Sequence, residues 1–135
     1  MTERAADVER LELDFEPQRR SVRACRQAVA EYAERVGADP SVVSIAVSEA
    51  ASNVVFHAYR DRERLPFTVR ADVDGDRLII AVSDRGSGMK PNPDSPGLGL
   101  GLSIIGSVAD SVEFDSTDGG LTVTIRFELG RSPAA

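Results

Sequence analysis

Three groups of residues in this 135-residue chain have types and spacing suited to chemistry. Glu49, Asn53 and His57 recur at every fourth position, which on a helix stacks a carboxylate, a carboxamide and an imidazole along one side. An amide oxygen in such a row can ligate a hard cation, and a carboxylate one turn earlier can act as a general base. Asp84-Arg85-Gly86-Ser87-Gly88 follows the apolar run LIIAVS, so a carboxylate stands at a strand end beside two glycines that let a flat ligand approach the backbone. A carboxylate in that position can accept a hydrogen bond from an exocyclic amine. In PGLGLGLSII, Gly97, Gly99 and Gly101 directly precede a helical pattern, where free N–H groups and the positive end of the helix dipole hold anions.

Each group also has a plain counterpart. The row of three can be a solvated helix edge with a structural histidine, the Asp84 segment a strand-ending turn, and the glycines a hinge before a core helix. Known alternatives are excluded by spacing. The glycine segment has no Lys-Ser/Thr after its last glycine and no G-x-G-x-x-G, so it is neither a P-loop nor a dinucleotide fingerprint. Asp72-x-Asp74-Gly75-Asp76 has its glycine too early for an EF-hand and lacks the closing glutamate.

The elements that position these groups follow from periodicity. Val8, Leu11, Leu13 and Phe15 alternate with polar residues as a half-buried strand does. Pro17 suits a first helical turn, Val22, Cys25, Val29, Tyr32 and Val36 trace a helix, and Gly37 stops it. Asp39 or Ser41 caps a second helix running through Tyr59, whose apolar stripe is Val43, Val47, Ala50, Val54 and Ala58. Phe67 to Val73 and Leu78 to Val82 flank Asp74-Gly75 as a hairpin. Asp84 to Pro96 reads as loop, Leu100 to Val108 as helix, Val112 to Phe114 as a short strand, Gly119-Gly120 as a turn and Leu121 to Leu129 as a strong strand. The order β-α-α-β-β-α-β-β predicts an α+β two-layer sandwich with helices on one sheet face. We expect one domain over residues 1–135, frayed at about residues 1–6 and 130–135.

Composition narrows the classes of function. A hydrophobic content of 41% with 28% charged residues is that of a folded domain. A net charge of −6 argues against a nucleic-acid footprint. Cys25 is the only cysteine, so no internal disulfide or cysteine-built metal site is expected. MTERAADVER lacks a signal-peptide core, and no apolar run is read as approaching the ~20 residues of a membrane span, which predicts a protein that stays in the cytoplasm. Arg19, Arg20, Arg23 and Arg26 crowd two turns of the first helix, either as a solvated face or as a docking surface for an acidic protein.

In this order and spacing the three groups resemble the N, G1 and G2 boxes of the GHKL superfamily, whose ATP-binding domains share the Bergerat fold. Gly119, Gly120 and Thr122 resemble a further box, although Leu121 stands where the family usually has its threonine. AVSEAASNVVFHAY, ending in His57-Ala58-Tyr59, is similar to the anti-sigma-factor serine/threonine kinases of bacterial stress and sporulation switches. That resemblance implies a two-layer Bergerat sandwich with a mixed, mostly antiparallel sheet covered on one face by helices, and ATP with Mg²⁺ as cofactors. It makes Glu49 the catalytic base and Asn53 the Mg²⁺ ligand, has Asp84 read the adenine amine, and puts His57 among the nucleotide-site residues. Gly86 and Gly88 would floor the adenine pocket, Gly97, Gly99, Leu100 and Gly101 would form the phosphate lid, and Thr122 would lie near the adenine.

The implied function is an anti-sigma factor that sequesters a sigma factor and phosphorylates an anti-anti-sigma protein of the STAS type. A homodimer with no direct nucleic-acid or membrane partner is implied as well. A nucleotide-dependent sequestrator with little or no kinase activity is the alternative, and an α+β interaction domain without nucleotide is a third. Histidine kinases need a separate phosphoacceptor helix, whereas His57 is the sole histidine and lies inside the N-box motif.

Overall fold

The computed structural model describes residues 8–59, 63–86, 104–117 and 119–129. Strand β1 (Leu11–Phe15) turns Leu11, Leu13 and Phe15 inward and exposes Glu12 and Asp14. It begins three residues later than the alternation suggested, although Val8 is still buried in the bend before it. Helix α1 (Arg19–Val36) starts after Pro17 rather than on it. Its end is set by Gly37 at φ 88, and Ala38 N donates to Ala33 O at 2.8 Å, the 6→1 bond of a Schellman stop.

Helix α2 (Pro40–Asn53) is capped by Asp39, whose Oδ1 accepts from Ser41 N at 2.9 Å, and Pro40 occupies the first turn, where its missing N–H costs nothing. The helix continues through a π-helical turn, Val54–Ala58. Together they make a 19-residue stretch, Pro40–Ala58, with mean hydropathy 1.2, long and apolar enough by length and composition alone to cross a membrane. That corrects the expectation that no run approaches this length. Half of the stretch is buried inside the domain, as in the core helix of a folded protein.

Strands β2 (Phe67–Asp74) and β3 (Arg77–Ser83) form the expected hairpin. Its two-residue turn is Gly75-Asp76, one position later than read from the sequence, because Asp74 pairs with Arg77 as the last rung. Gly75 supplies the left-handed φ of 64 that such a turn requires. Residues 104–108 are helical, and strands β4 (Ser111–Thr117) and β5 (Gly120–Glu128) form a second hairpin. Here Gly120 is already a strand residue and pairs with Thr117.

The sheet order is β1-β2-β3-β5-β4, and all four ladders are antiparallel, so the mixed, mostly antiparallel sheet that the resemblance implied is antiparallel throughout the described strands. Both long helices pack on one face. Val29 of α1, Val43 and Val47 of α2, Phe67 and Val69 of β2, Leu78, Ile80 and Val82 of β3 and Ile125 of β5 are essentially inaccessible. Each such side chain stabilises the fold by roughly 1.5–3 kcal/mol relative to exposure. The opposite face carries Arg70, Asp72, Ile79, Ala81 and Thr124 and is covered by no element among the described residues.

Cys25 lies in this core, and burial pushes its thiol up to about 12 from 9.0. Only the neutral thiol is accepted there, so its share of stability is complete below the unfolded value and is lost as pH rises from about 9 towards 12. We expect the thermal midpoint to fall more steeply across that alkaline window in the wild type than in Cys25→Ala. Equal slopes would show that the thiol is not the titrating group. Native Cys25 should also resist thiol reagents at neutral pH.

Candidate nucleotide site

The helix supplies the first half of the site. Glu49 and His57 are half-buried, and Asn53, the last residue of α2, is only 7% exposed. In a regular helix a spacing of four overshoots each turn by ~40°, so the third member of the row would drift ~80° away from the first. The step from Asn53 to His57 crosses the π-helical turn instead. A turn closed i→i+5 holds more than four residues, so this step falls short of a full turn and brings His57 back toward the line of Glu49 and Asn53. The row of three is therefore straighter than the spacing alone predicts.

The sheet supplies the second half. Along β3 the buried positions are Leu78, Ile80 and Val82, and the same alternation turns Asp84 toward the helices, where it is 5% exposed. Asp84 N donates to Leu121 O at 3.0 Å, which extends the β3–β5 ladder by one rung. Its Oδ1 accepts from Gly86 N at 3.0 Å, closing an Asx turn, and from Leu121 N at 3.4 Å. These bonds fix the carboxylate before any ligand arrives.

Two glycines dock this loop between the layers. A Cβ on Gly86 would stand 2.1 Å from Ala58 O and 2.9 Å from Tyr59 Cδ1. A Cβ on Gly120 would stand 1.9 Å from Asp84 O, and Gly120 also holds φ at 151. Only glycine permits either approach. Tyr59 completes the dock, because its buried hydroxyl oxygen accepts from Arg85 N at 3.3 Å. Burial raises the Tyr59 pKa, the Arg85 N–H bond lowers it, and the Asp84 charge raises it again. The end of the helix carrying Glu49 and Asn53 is thus bonded directly to the loop carrying Asp84.

Thr122, expected near the adenine, is placed elsewhere. It pairs with Ser83, and its hydroxyl lies 2.8 Å from Ser83 Oγ on the sheet face away from the helices. The period-two pleat is the reason: Leu121, buried and bonded to Asp84 through both its backbone groups, is the residue on the site's face. Gly88 and the expected lid residues Gly97, Gly99, Leu100 and Gly101 lie outside the described residues. Tyr59 and Arg85 are site-building residues to which sequence reasoning assigned no role, and Gly120, read there as part of a turn and a further box, proves to pack on Asp84 O.

The donor set suits a magnesium-bound triphosphate. Among the described residues no three His, Cys, Asp or Glu side chains cluster to cage a metal. Mg²⁺ is ordinarily held by one or two protein oxygens together with substrate phosphates, and Asn53 and Glu49 offer hard oxygens of that kind.

Residues 15–127 match the family described as the histidine kinase-like ATPase domain. The chain is 28% identical over 132 residues to the anti-sigma F factor of Clostridium beijerinckii, covering 86% of this chain and 91% of the relative. It is 29% identical over 133 residues to the serine-protein kinase RsbW of Bacillus velezensis, covering 85% and 83%. Among solved structures, the RsbU and RsbW domains of Rv1364c from Mycobacterium tuberculosis superpose with a TM-score of 0.74 at 23% identity. That match covers 93% of this chain and 34% of the longer one, and it shows the fold.

Gly86→Ala should destabilise the protein, since the new methyl meets backbone that cannot rotate away, and overpacking of this kind costs about 1–3 kcal/mol. Gly106 is a control, because nothing lies within 4 Å of its added Cβ and it sits in the 104–108 helix. Gly106→Ala should be neutral or stabilising by up to ~1 kcal/mol. Chemical denaturation of both variants checks this, and equal stability of the two would remove the docking role given to Gly86.

Proposed function

The chain belongs to the histidine kinase-like ATPase domain family, in the anti-sigma-factor kinase branch of the GHKL superfamily, and from that premise we propose that it is an ATP-dependent anti-sigma factor. In this reading it sequesters a sigma factor and phosphorylates a serine or threonine of an anti-anti-sigma protein of the STAS type. The observation that carries the reading is the docking of the Asp84 loop on the end of the Glu49–Asn53 helix, through Gly86 against Ala58 and Arg85 N on Tyr59. It seats the loop of the adenine-type acceptor on the end of the helix that carries the phosphate-end pair.

Bound Mg·ATP supplies the transferable phosphoryl group and the cation that offsets its charge. Asn53 would hold the cation through its amide oxygen. Glu49, one turn earlier, takes the proton from the hydroxyl of the incoming serine or threonine. Asp84, fixed by its Asx turn, accepts from the exocyclic amine of adenine, and a buried acceptor of that kind discriminates against guanine, which presents a carbonyl there. In this assignment Gly86 and Gly88 would floor the base, His57 would belong to the same site, and Gly97, Gly99, Leu100 and Gly101 would be the phosphate-binding residues. Thr122 is left out of this assignment because it faces the other side of the sheet.

Partner capture is assigned to the cationic face of α1. Arg19, Arg20, Arg23 and Arg26 are all exposed, and the Arg19 guanidinium lies 5.8 Å from the ring centre of Phe56, itself 52% exposed. An exposed aromatic under arginine is the composition favoured at protein interfaces. A second copy of the chain is the further partner proposed, and the cytoplasm is the compartment in which these partners meet.

The phosphoryl-transfer assignment is tested by Mg·ATP titration and single-turnover transfer on three variants. Glu49→Gln should slow transfer by ~10²- to 10⁴-fold while nucleotide affinity changes little. Asn53→Ala should weaken the magnesium-dependent part of ATP binding, and Asp84→Asn should weaken adenine binding itself. Transfer at the wild-type rate by Glu49→Gln would turn the reading toward a sequestrator without kinase chemistry.

Reversing Arg20 and Arg23 to glutamate should weaken capture of the sigma factor or antagonist and leave ATP affinity intact. Unchanged capture, measured by interferometry with the purified partner, would make the arginine face a solvated one.

A further inference from the structure

The π-helical turn is held from outside the helix. Arg64, in the segment leading to β2, donates from Nη2 to Val55 O at 3.1 Å and from the same nitrogen to Pro17 O. Pro17 is buried just ahead of α1. One guanidinium nitrogen therefore links the wide turn to the residue just ahead of the other helix.

A π turn inserts one residue into the α-helical ladder, which puts its carbonyls out of step with the turns on either side. The regular α register is the competing arrangement of the same residues. Returning to it would rotate every side chain beyond the insertion by ~100° relative to the helix before it. Tyr59 would then turn off Arg85 N, and Ala58 would no longer present the backbone surface on which Gly86 packs. The register of Val54–Ala58 thus decides whether the Asp84 loop is docked.

We propose that Arg64 is a positioning residue for the nucleotide site, which holds the carbonyl of Val55 so that Val54–Ala58 keeps the π register and the Asp84 loop stays seated on Ala58 and Tyr59. Its effect on ligand affinity rests on the nucleotide reading given above, whereas its effect on the register does not. If the register is π in only a fraction of molecules, the apparent dissociation constant rises by the inverse of that fraction.

The chain has no tryptophan and two tyrosines, so a Tyr32→Phe background leaves Tyr59 as the single phenol to titrate by tyrosinate absorbance. Among the described residues the buried Tyr32 hydroxyl has no hydrogen-bond partner, so this background removes no bond there. Burial is the largest influence raising the Tyr59 pKa, and the nearby Arg64 charge lowers it. The two outcomes of removing Arg64 therefore differ in sign. In Arg64→Met, which keeps an apolar stem without donors, loss of the register takes Tyr59 out of its buried seat and the midpoint should fall toward that of free tyrosine. Loss of the charge alone, with the register intact, would raise the midpoint and overturn the proposal.

On the nucleotide side, Arg64→Met should weaken Mg·ATP binding by ~tenfold or more, and Arg64→Lys, which keeps a cation with three N–H donors, should restore most of it. Unchanged affinity in Arg64→Met, while the wild type binds, would also overturn it. If the wild type binds no adenine nucleotide, the functional reading fails and the tyrosine titration still decides the register. Should Arg64→Met fail to fold, Arg64→Gln is titrated in the same way.

Discussion

The rest of the structure depends on two places where backbone meets backbone with no side chain between. Gly86 lies against the carbonyl of Ala58, and Gly120 lies against the carbonyl of Asp84. A two-layer sandwich normally keeps its helix ends and its strand ends apart by the width of the side chains packed between them. A ligand that must touch both layers needs that gap closed at one point, and glycine is the residue that closes it. Once it is closed, Tyr59 reaches Arg85 N, and the Asp84 loop becomes an extension of the helix end.

That contact also explains how polar groups survive at the rim of the core. Asn53 and Asp84 are nearly as buried as the valines around them. A buried carboxylate is tolerated when N–H groups converge on it, and Asp84 Oδ1 receives two, from Gly86 and Leu121. Asp84 thus serves at once as the last rung of the β3–β5 ladder and the start of an Asx turn. The π-helical turn does comparable work on the other side, since it aligns His57 with Glu49 and Asn53 while leaving Val54, Val55 and Ala58 in the core.

Charge is distributed to the same end. The chain carries a net −6, yet four exposed arginines gather on α1 beside an exposed phenylalanine of the adjoining helix. A cationic, partly aromatic patch on an acidic protein steers acidic protein partners to one place and repels them elsewhere. The uncovered sheet face, with Ile79, Ala81 and Thr124 between Arg70 and Asp72, is a separate surface on the far side of the core.

The sequence by itself determined the layers. Period-3.6 stripes marked α1 and α2, period-two alternation marked β2, β3 and β5, and Asp39, Gly37 and Gly75 marked the stops, because each of these signals acts within one turn of chain. Glu49, Asn53, Asp84 and Gly86 were picked out as candidates because residue type and spacing suggest their chemistry. The face on which Thr122 lies was not legible, since it follows from pairing with Ser83, a residue 39 positions away. The π-helical turn was equally hidden: the spacing of Asn53 and His57 is the same in either register, and the choice is made by contacts with Pro17, Arg64, Arg85 and Gly86 that no local pattern contains. Local propensity thus set which elements form, and tertiary contact alone decided which way the side chains at their ends point.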